Sequence, residues 1–257
     1  MKLRGYLALG IVCLGLVVSD LVQRLIIWPL ITLMPSRRTR VLSGWLQFLA
    51  ALVLNPFRTV GGASIPRPDR IVPSRAGVLV VMNHQSLLDI PLVVQTVDQG
   101  YPRIVTRARY RRFVPLISHL VRLYQYPTVD PTANAAVLRE TLDEIGRAGR
   151  ESDVPIAVFP EGTRTRSGKI GRFKRGGLSR LLSERPWTVY VYVVDGFWKY
   201  ATFKDLVLRM GRVEGRMEHV DTLEWTDPTA DSTDFVQNMR TQMIEHLESM
   251  RGSGAQV

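Results

Sequence analysis

The sequence predicts an α/β fold: a mostly parallel central sheet flanked by helices, preceded by an apolar helical hairpin. Three observations carry this expectation. Short, wholly apolar runs such as Val78-Leu79-Val80-Val81-Met82 and Val189-Tyr190-Val191-Tyr192-Val193-Val194 read as strands buried on both faces, as parallel sheets require. Segments with helical spacing fall between these runs, and such alternation argues for strands joined by crossover helices. The first 54 residues hold two apolar segments with few charges.

Taken in order, Gly5 to Ser19 is uncharged and apolar, Asp20, Gln23 and Arg24 interrupt it, and Leu25 to Met34 resumes with Pro29 inside. A second apolar segment, Val41 to Leu54, follows Arg37, Arg38 and Arg40. Neither uninterrupted run reaches the roughly 20 residues of a clean bilayer span. Two full spans would place those three arginines across the membrane from the rest of the chain, against the tendency of basic loops to stay on the cytoplasmic side. The expectation is a hairpin over residues 1–55 that dips into one leaflet. A single tilted span from Gly5 to Met34, with Asp20 and Arg24 paired at i, i+4, is the alternative, and an ordinary buried core hairpin is the plainest reading. No small-residue cleavage site follows Val17-Val18-Ser19-Asp20, which argues against a cleaved leader.

Residues 56–251 are expected to form the sheet domain, and Gly252 to Val257 a disordered tail. Pro56 to Arg75 is rich in Gly and Pro and reads as a linker. Strands are expected near Val78 to Met82, Ile104 to Thr106, Pro155 to Phe159 and Val189 to Val194, with an edge strand over Arg212 to His219. Helices are expected from Leu87 to Val97 and over Arg111 to Leu123, Thr132 to Arg147, Gly177 to Ser183 and Asp231 to Met250. The last carries Phe235, Met239, Met243, Leu247 and Met250 on one face, the spacing of core packing.

Net charge is +11, from 34 basic and 23 acidic residues, and such an excess needs a negative partner. It is concentrated in two runs. Arg103, Arg107, Arg109, Arg111, Arg112 and Arg122 lie between Asp98 and Asp130 with no acidic residue among them. Arg164, Arg166, Lys169, Arg172, Lys174, Arg175 and Arg180 lie between Glu161 and Glu184. Zinc spacings, basic-zipper heptads and aromatic-rich RNA-recognition blocks are missing, so nucleic acid is not the expected partner; an anionic membrane and a phosphate-bearing substrate are. Cys13 is the single cysteine, which excludes an intrachain disulfide or thiolate cluster and fits a reducing compartment. His119, His219 and His246 lack ligand spacing, so no metal is expected.

Two motifs carry chemistry. Asn83-His84-Gln85-Ser86-Leu87-Leu88-Asp89 follows the first buried strand. An imidazole titrates near neutral pH and can accept an alcohol proton if a carboxylate fixes its other nitrogen. Asp89 is the candidate carboxylate. Five residues along one helix rotate two side chains about 140° apart, so His84 must precede the helix, at the carboxyl end of a strand where open α/β sheets keep their ligands. Gln85 and Ser86 read as helix-start residues. A nucleophilic Ser86 is the rival, but no Gly-x-Ser-x-Gly elbow accompanies it. The second motif, Phe159-Pro160-Glu161-Gly162-Thr163-Arg164-Thr165, ends another strand. Gly162 is free of side-chain bulk, so that its amide can approach a ligand, and Arg164 can grip a phosphate with two parallel hydrogen bonds.

Together the motifs resemble those of the glycerolipid acyltransferase family, whose lysophosphatidate acyltransferases carry Asn-His-x4-Asp and Phe-Pro-Glu-Gly-Thr-Arg in this order. Phe173-Lys174-Arg175-Gly176-Gly177 resembles the basic Phe-Lys-x-Gly element that follows in that family, and the likeness runs from about Val78 to Val194. Two blocks depart from it. Tyr124-Gln125-Tyr126-Pro127-Thr128-Val129-Asp130 lacks the arginine that ends the family's middle block, and Val189 to Gly196 lacks the prolines of its late block.

The resemblance implies a membrane-bound enzyme that moves a fatty acyl group from a thioester, on coenzyme A or acyl carrier protein, to the free hydroxyl of a lysophospholipid such as 1-acylglycerol-3-phosphate. It implies His84 as general base, Asp89 as its partner, and Asn83, Arg107, Glu161, Gly162, Thr163, Arg164 and Lys174 as substrate-binding residues. No cofactor beyond the thioester co-substrate is expected, and the expected location is the cytoplasmic face of a bacterial-type inner membrane. Another lysolipid acceptor, such as a lyso-amino-acid lipid, a thioesterase, and an inert lipid-binding protein are the alternatives.

Overall fold

The computed structural model describes residues 2–130, 134–200 and 203–253. Helix α1 runs over Lys2–Leu33 and α2 over Arg38–Thr59. Then follow β1 (Val72–Pro73), β2 (Val78–Met82), α3 (Asp89–Gln95), β3 (Val97–Asp98), β4 (Arg103–Ile104), β5 (Thr106–Arg107) and α4 (Ile117–Leu123). The remainder comprises β6 (Thr128–Val129), α5 (Ala135–Glu151), β7 (Ile156–Val158), α6 (Arg175–Leu182), β8 (Trp187–Asp195), α7 (Phe203–Leu208), β9 (Arg216–Trp225) and α8 (Thr233–Ser253).

The main sheet has the order β4-β7-β2-β8-β9. Its first four strands are mutually parallel, with Val80 in register with Ala157 on one side and Tyr190 on the other. Only β9 runs antiparallel, along the whole of β8. The expected α/β architecture, mostly parallel and flanked by helices, is the one observed. Two short parallel pairs, β1 with β3 and β5 with β6, stand outside the main sheet.

Alternation along the strands sorts the core into two layers. Val78, Val80, Met82, Tyr190, Tyr192 and Val194 face one cluster, shared with α1, α2, α3 and α4. Leu79, Val81, Ile156, Val189, Val191 and Val193 face the other, shared with α5, α6 and α8. All but Tyr190 (7%) are fully buried, and each such aliphatic side chain stabilises the fold by roughly 1.5–3 kcal/mol. Trp187 and Trp225 donate their indole N–H groups to the Leu181 and Leu182 carbonyls, satisfying the C-terminal end of α6.

The N-terminal hairpin therefore forms part of one core layer. Gly5, Ala8, Val12, Ser19, Gln23 and Ile31 make a buried stripe on α1. Leu3, Leu7, Ile11, Leu14, Val18, Leu21 and Leu25 make an exposed apolar stripe on its other side. Asp20 and Arg24 pair at 3.1 Å, as expected for i, i+4. Pro29, inside the second apolar run, does not break the helix, because it falls in the first turn after a π-helical turn over Gln23–Ile27, where its missing N–H is tolerated. One continuous helix of 32 residues results, long and apolar enough to cross a membrane. The hairpin also passes the expected boundary at residue 55: α2 accommodates Pro56 and ends at Thr59.

Other boundaries differ for identifiable reasons. Helix α3 starts at Asp89 rather than Leu87, because residues 84–88 fold around the Asp89 carboxylate. The strand expected at Ile104 to Thr106 splits between β4 and β5, which pair with different partners. Helix α4 begins only at Ile117, after Pro115 and the left-handed residues Phe113 and Leu116. Asn134 caps α5 by accepting from the Val137 amide, and the expected start at Thr132 lies outside the described residues. The edge strand is later and longer than Arg212 to His219. Helix α8 extends through Gly252 and Ser253, while the rest of the expected tail, 254–257, lies outside the described residues. On its buried face Val236 joins Met239, Met243, Leu247 and Met250, with Phe235 packed at the edge.

Candidate active site

Strand β2 delivers His84 to the carboxyl end of the sheet. Asn83 ends the strand by clamping β8: its side-chain amide donates to the Val194 carbonyl at 2.9 Å, and its oxygen accepts from the Val194 amide at 2.7 Å. Fully buried and doubly engaged, it contacts the sheet instead of a ligand, contrary to its expected substrate-binding role. The next residues wrap around Asp89. Its Oδ2 accepts from the His84 ring at 2.8 Å, from the Gln85 amide at 2.6 Å and from the Ser86 amide at 2.7 Å. Three donors thus converge on one oxygen of a completely buried carboxyl group, while its Oδ1 has no hydrogen-bond partner among the described residues. As the helical rotation required, His84 lies ahead of α3 while Asp89 is its first residue.

His84 is gripped on every side but one. Its ring stacks on Phe159 with centroids 4.5 Å apart, its amide donates to Glu161 Oε1 at 2.9 Å, and its carbonyl accepts from the Thr165 amide at 2.8 Å. The side chain is 15% exposed. With Nδ1 committed to Asp89, Nε2 has no hydrogen-bond partner among the described residues, which is the geometry of a base waiting for a proton.

The second motif meets the first here. Buried Glu161 was expected to face a substrate; its carboxylate instead bridges two loops, accepting from the His84 amide and, at 2.8 Å, from the Gly171 amide. Burial pushes its pKa above the ordinary value, and those two hydrogen bonds oppose the rise. Gly162 is left-handed at φ +64°, which favours glycine, while the Lys174 side chain beside it, 2.9 Å from where a Cβ would stand, is flexible enough to move aside. The Gly162 amide closes the turn onto the Phe159 carbonyl at 3.0 Å, which corrects the expectation of a free amide. Its carbonyl accepts from Arg107 Nη2 at 2.9 Å, so Arg107 reaches the site by holding this turn. Thr163, Arg164 and Lys174 are exposed, and their side chains make no hydrogen bond or ion pair with the described residues. The structure thus brings Arg107, Arg164 and Lys174 to the rim of the loop beside His84.

Motif reading missed a support behind His84. Gln85, read as a helix-start residue, is buried; its oxygen accepts from the Phe197 and Trp198 amides, and its nitrogen donates to Asp195. Asp195 in turn accepts two hydrogen bonds from Arg251, at 2.9 and 2.7 Å, and Arg251 also donates to the Gly168 carbonyl. Burial pushes Asp195 up, but its hydrogen bonds from Arg251, Gly196 and Gln85 outweigh this and leave its pKa below the ordinary value. Ser86 behaves nearer to expectation, its hydroxyl accepting from the Leu88 amide. Among the described residues no group of three or more His, Cys, Asp or Glu is placed to hold a metal ion.

A parallel α/β sheet with a carboxylate-braced histidine at its carboxyl end, flanked by a cationic loop, defines the class. A family model described as Acyltransferase matches residues 66–194, half of the chain, and the protein belongs to that family. Among curated relatives, a 1-acyl-sn-glycerol-3-phosphate acyltransferase of Cocos nucifera is 29% identical over 112 residues, 44% of this chain and 35% of the relative. Another of that name, from Limnanthes douglasii, is 23% identical over 171 residues, 66% of this chain and 58% of the relative. The alignments thus span less than two thirds of either relative. Among solved structures, the 1-acyl-sn-glycerophosphate (LPA) acyltransferase PlsC from Thermotoga maritima shares the fold, with a TM-score of 0.66 at 19% identity over 98% of both chains.

Proposed function

We propose that the protein transfers a fatty acyl group from an acyl thioester, on coenzyme A or acyl carrier protein, to the free hydroxyl of a lysophospholipid, with 1-acylglycerol-3-phosphate as acceptor and phosphatidic acid as product. The observation that carries this is His84: Nδ1 bound to a buried carboxylate, Nε2 unpartnered, and a cationic loop alongside. Nε2 takes the hydroxyl proton as the oxygen attacks the thioester carbonyl. The tetrahedral intermediate then expels the thiolate, which recovers the proton from Nε2. Asp89 holds the ring in the tautomer this requires and offsets the charge it acquires. Arg164, Lys174 and Arg107 supply cations for the acceptor phosphate. The arginine lacking after Asp130 has a neighbour in Arg107, which pairs in register with Val129.

Membrane attachment belongs to the same reading. Near the start of α1 Gly5 lies against the Val207 backbone, near its end Ile31 is buried in the core, and Arg38, the first residue of α2, donates to the Leu123 carbonyl at 2.9 Å. A helix in contact with the globular body near both ends cannot also hold one end across a hydrocarbon core of roughly 30 Å. The hairpin therefore lies within one leaflet, its exposed apolar stripe toward the acyl chains, with the catalytic domain on the cytoplasmic face.

Incubating the purified protein with labelled acyl donor and a panel of lysolipids, followed by lipid mass spectrometry, tests the proposal. Acylated 1-acylglycerol-3-phosphate is the expected product. Preference for a lyso-amino-acid lipid would reassign the acceptor, free fatty acid without any acceptor would indicate a thioesterase, and no product at all would leave a lipid-binding protein.

A further inference from the structure

Between the π-helical turn of α1 and helix α4 lie two clefts of about 550 and 570 Å³ that share Arg24 and Arg122. None of their lining residues belongs to the loops that carry His84 and Glu161. The π turn buries Gln23, whose oxygen accepts from Trp45 Nε1 at 2.9 Å and whose nitrogen meets His119 Nδ1 at 2.9 Å. Three helices are thereby tied at one point, and Arg24 and Trp28 are left lining the first cleft. On the other side Asp20 Oδ1 accepts from the Leu116 amide at 2.8 Å, fixing the Arg112 to Leu116 turn against α1.

Five arginines line the clefts against one aspartate. Arg24 pairs with Asp20, Arg111 with Glu144, and Arg38 donates to a carbonyl. Arg112 and Arg122 are exposed and have no hydrogen bond or ion pair among the described residues. Two large apolar side chains also line the clefts: Trp28 is more than half exposed, and Phe113 is 97% exposed. Phe113 and Leu116 both adopt left-handed backbones, at φ 63° and 58°, which residues with large side chains rarely do. A strained turn that presents a bare phenyl ring beside unpaired guanidinium groups suits the boundary between headgroups and acyl chains.

We propose that these clefts hold the phosphate of an anionic phospholipid headgroup in the bilayer surface, with Phe113 and Trp28 at the level of the upper acyl chains. Charge complementarity and these exposed rings select a bilayer lipid over a free phosphate, which would gain nothing from Trp28 or Phe113. The proposal rests on the hairpin lying in one leaflet.

Flotation with phosphatidylcholine vesicles, and with vesicles of phosphatidylcholine mixed with phosphatidylglycerol, separates the two ideas. Binding to the first reports hairpin insertion; the ratio between them reports the clefts. The double variant Arg112→Gln/Arg122→Gln is expected to lose about 25-fold in partitioning onto the mixed vesicles, about five-fold per arginine, and nothing on phosphatidylcholine. Arg122→Lys retains binding, and so does Arg75→Gln, which precedes the amino end of β2. Inorganic phosphate at matched ionic strength leaves binding unchanged. Equal losses on both vesicles, no loss on either, an equal loss from Arg75→Gln, or displacement by inorganic phosphate would overturn the clefts as a lipid site. Wild-type protein that ignores phosphatidylcholine but still binds the mixed vesicles through Arg112 and Arg122 would refute only the leaflet reading.

Discussion

In the loop after β2 the donors are spoken for, leaving His84 Nε2 and Asp89 Oδ1 without partners among the described residues: His84 Nδ1 and the Gln85 and Ser86 amides converge on Asp89 Oδ2, and the His84 amide on Glu161. In the loop after β7 the backbone is equally well held, through Glu161, Arg107 and Thr165, yet the exposed side chains of Thr163, Arg164 and Lys174 have no hydrogen-bond or ion-pair partner among the described residues. One loop spends its polar groups on holding a single nitrogen in place. The other is a fixed frame whose cations await a partner. The contrast separates a place where bonds change from a place where a charged head is held.

Breaking the first loop should cost the most. His84→Ala is expected to lower kcat by about 10⁴-fold with vesicle binding intact, measured by labelled acyl transfer; full turnover would end the general-base role. Asp89→Asn presents an amide to the imidazole and leaves buried backbone donors facing a weaker acceptor. It should lower kcat by about 10²–10³-fold and stability by about 2–3 kcal/mol, read by kinetics and denaturant unfolding. The second loop should answer differently. Arg164→Ala is expected to raise KM for the phosphate-bearing acceptor about 10–100-fold with kcat little changed, and Arg164→Lys to recover only part of it. A kcat loss with unchanged KM would erase the distinction between the loops.

The smallest effect tests the support behind both. Arg251→Ala removes two short hydrogen bonds to Asp195, leaving it Gln85, the Gly196 amide and the more distant Arg216, and should cost about 2 kcal/mol, a value reduced for the partial exposure of the arginine. Because the Asp195 pKa lies below 3.8 when folded, its contribution is complete above that pH and is lost as pH falls through the folded value. The variant should therefore unfold at a higher pH during acid titration than the wild type. Coincident acid transitions would remove Asp195 from the account.

Periodicity and spacing carried the strands, the crossover helices and the placement of His84 before a helix, because each is a local property of consecutive residues. They could not show that Asn83 and Glu161 serve the backbone, since that depends on which amide stands opposite each side chain. Gln85, Asp195 and Arg251 escaped for the same reason. They are separated by 110 and 56 residues in the chain, and no signal short of tertiary contact joins them. The Asp20–Arg24 pair was foreseen, but its consequence, an unbroken helix through Pro29, depended on a π turn that composition does not reveal.

The hairpin shares one packed layer with β2 and β8, and this has a practical consequence. Trimming residues 2–59 in the hope of a soluble enzyme would strip the cover from α3 and α7, on which the hairpin packs, and the remainder should misfold or aggregate. Purification must mask the greasy ridge with detergent or a lipid disc, because anchor and catalyst have no seam at which to cut them apart.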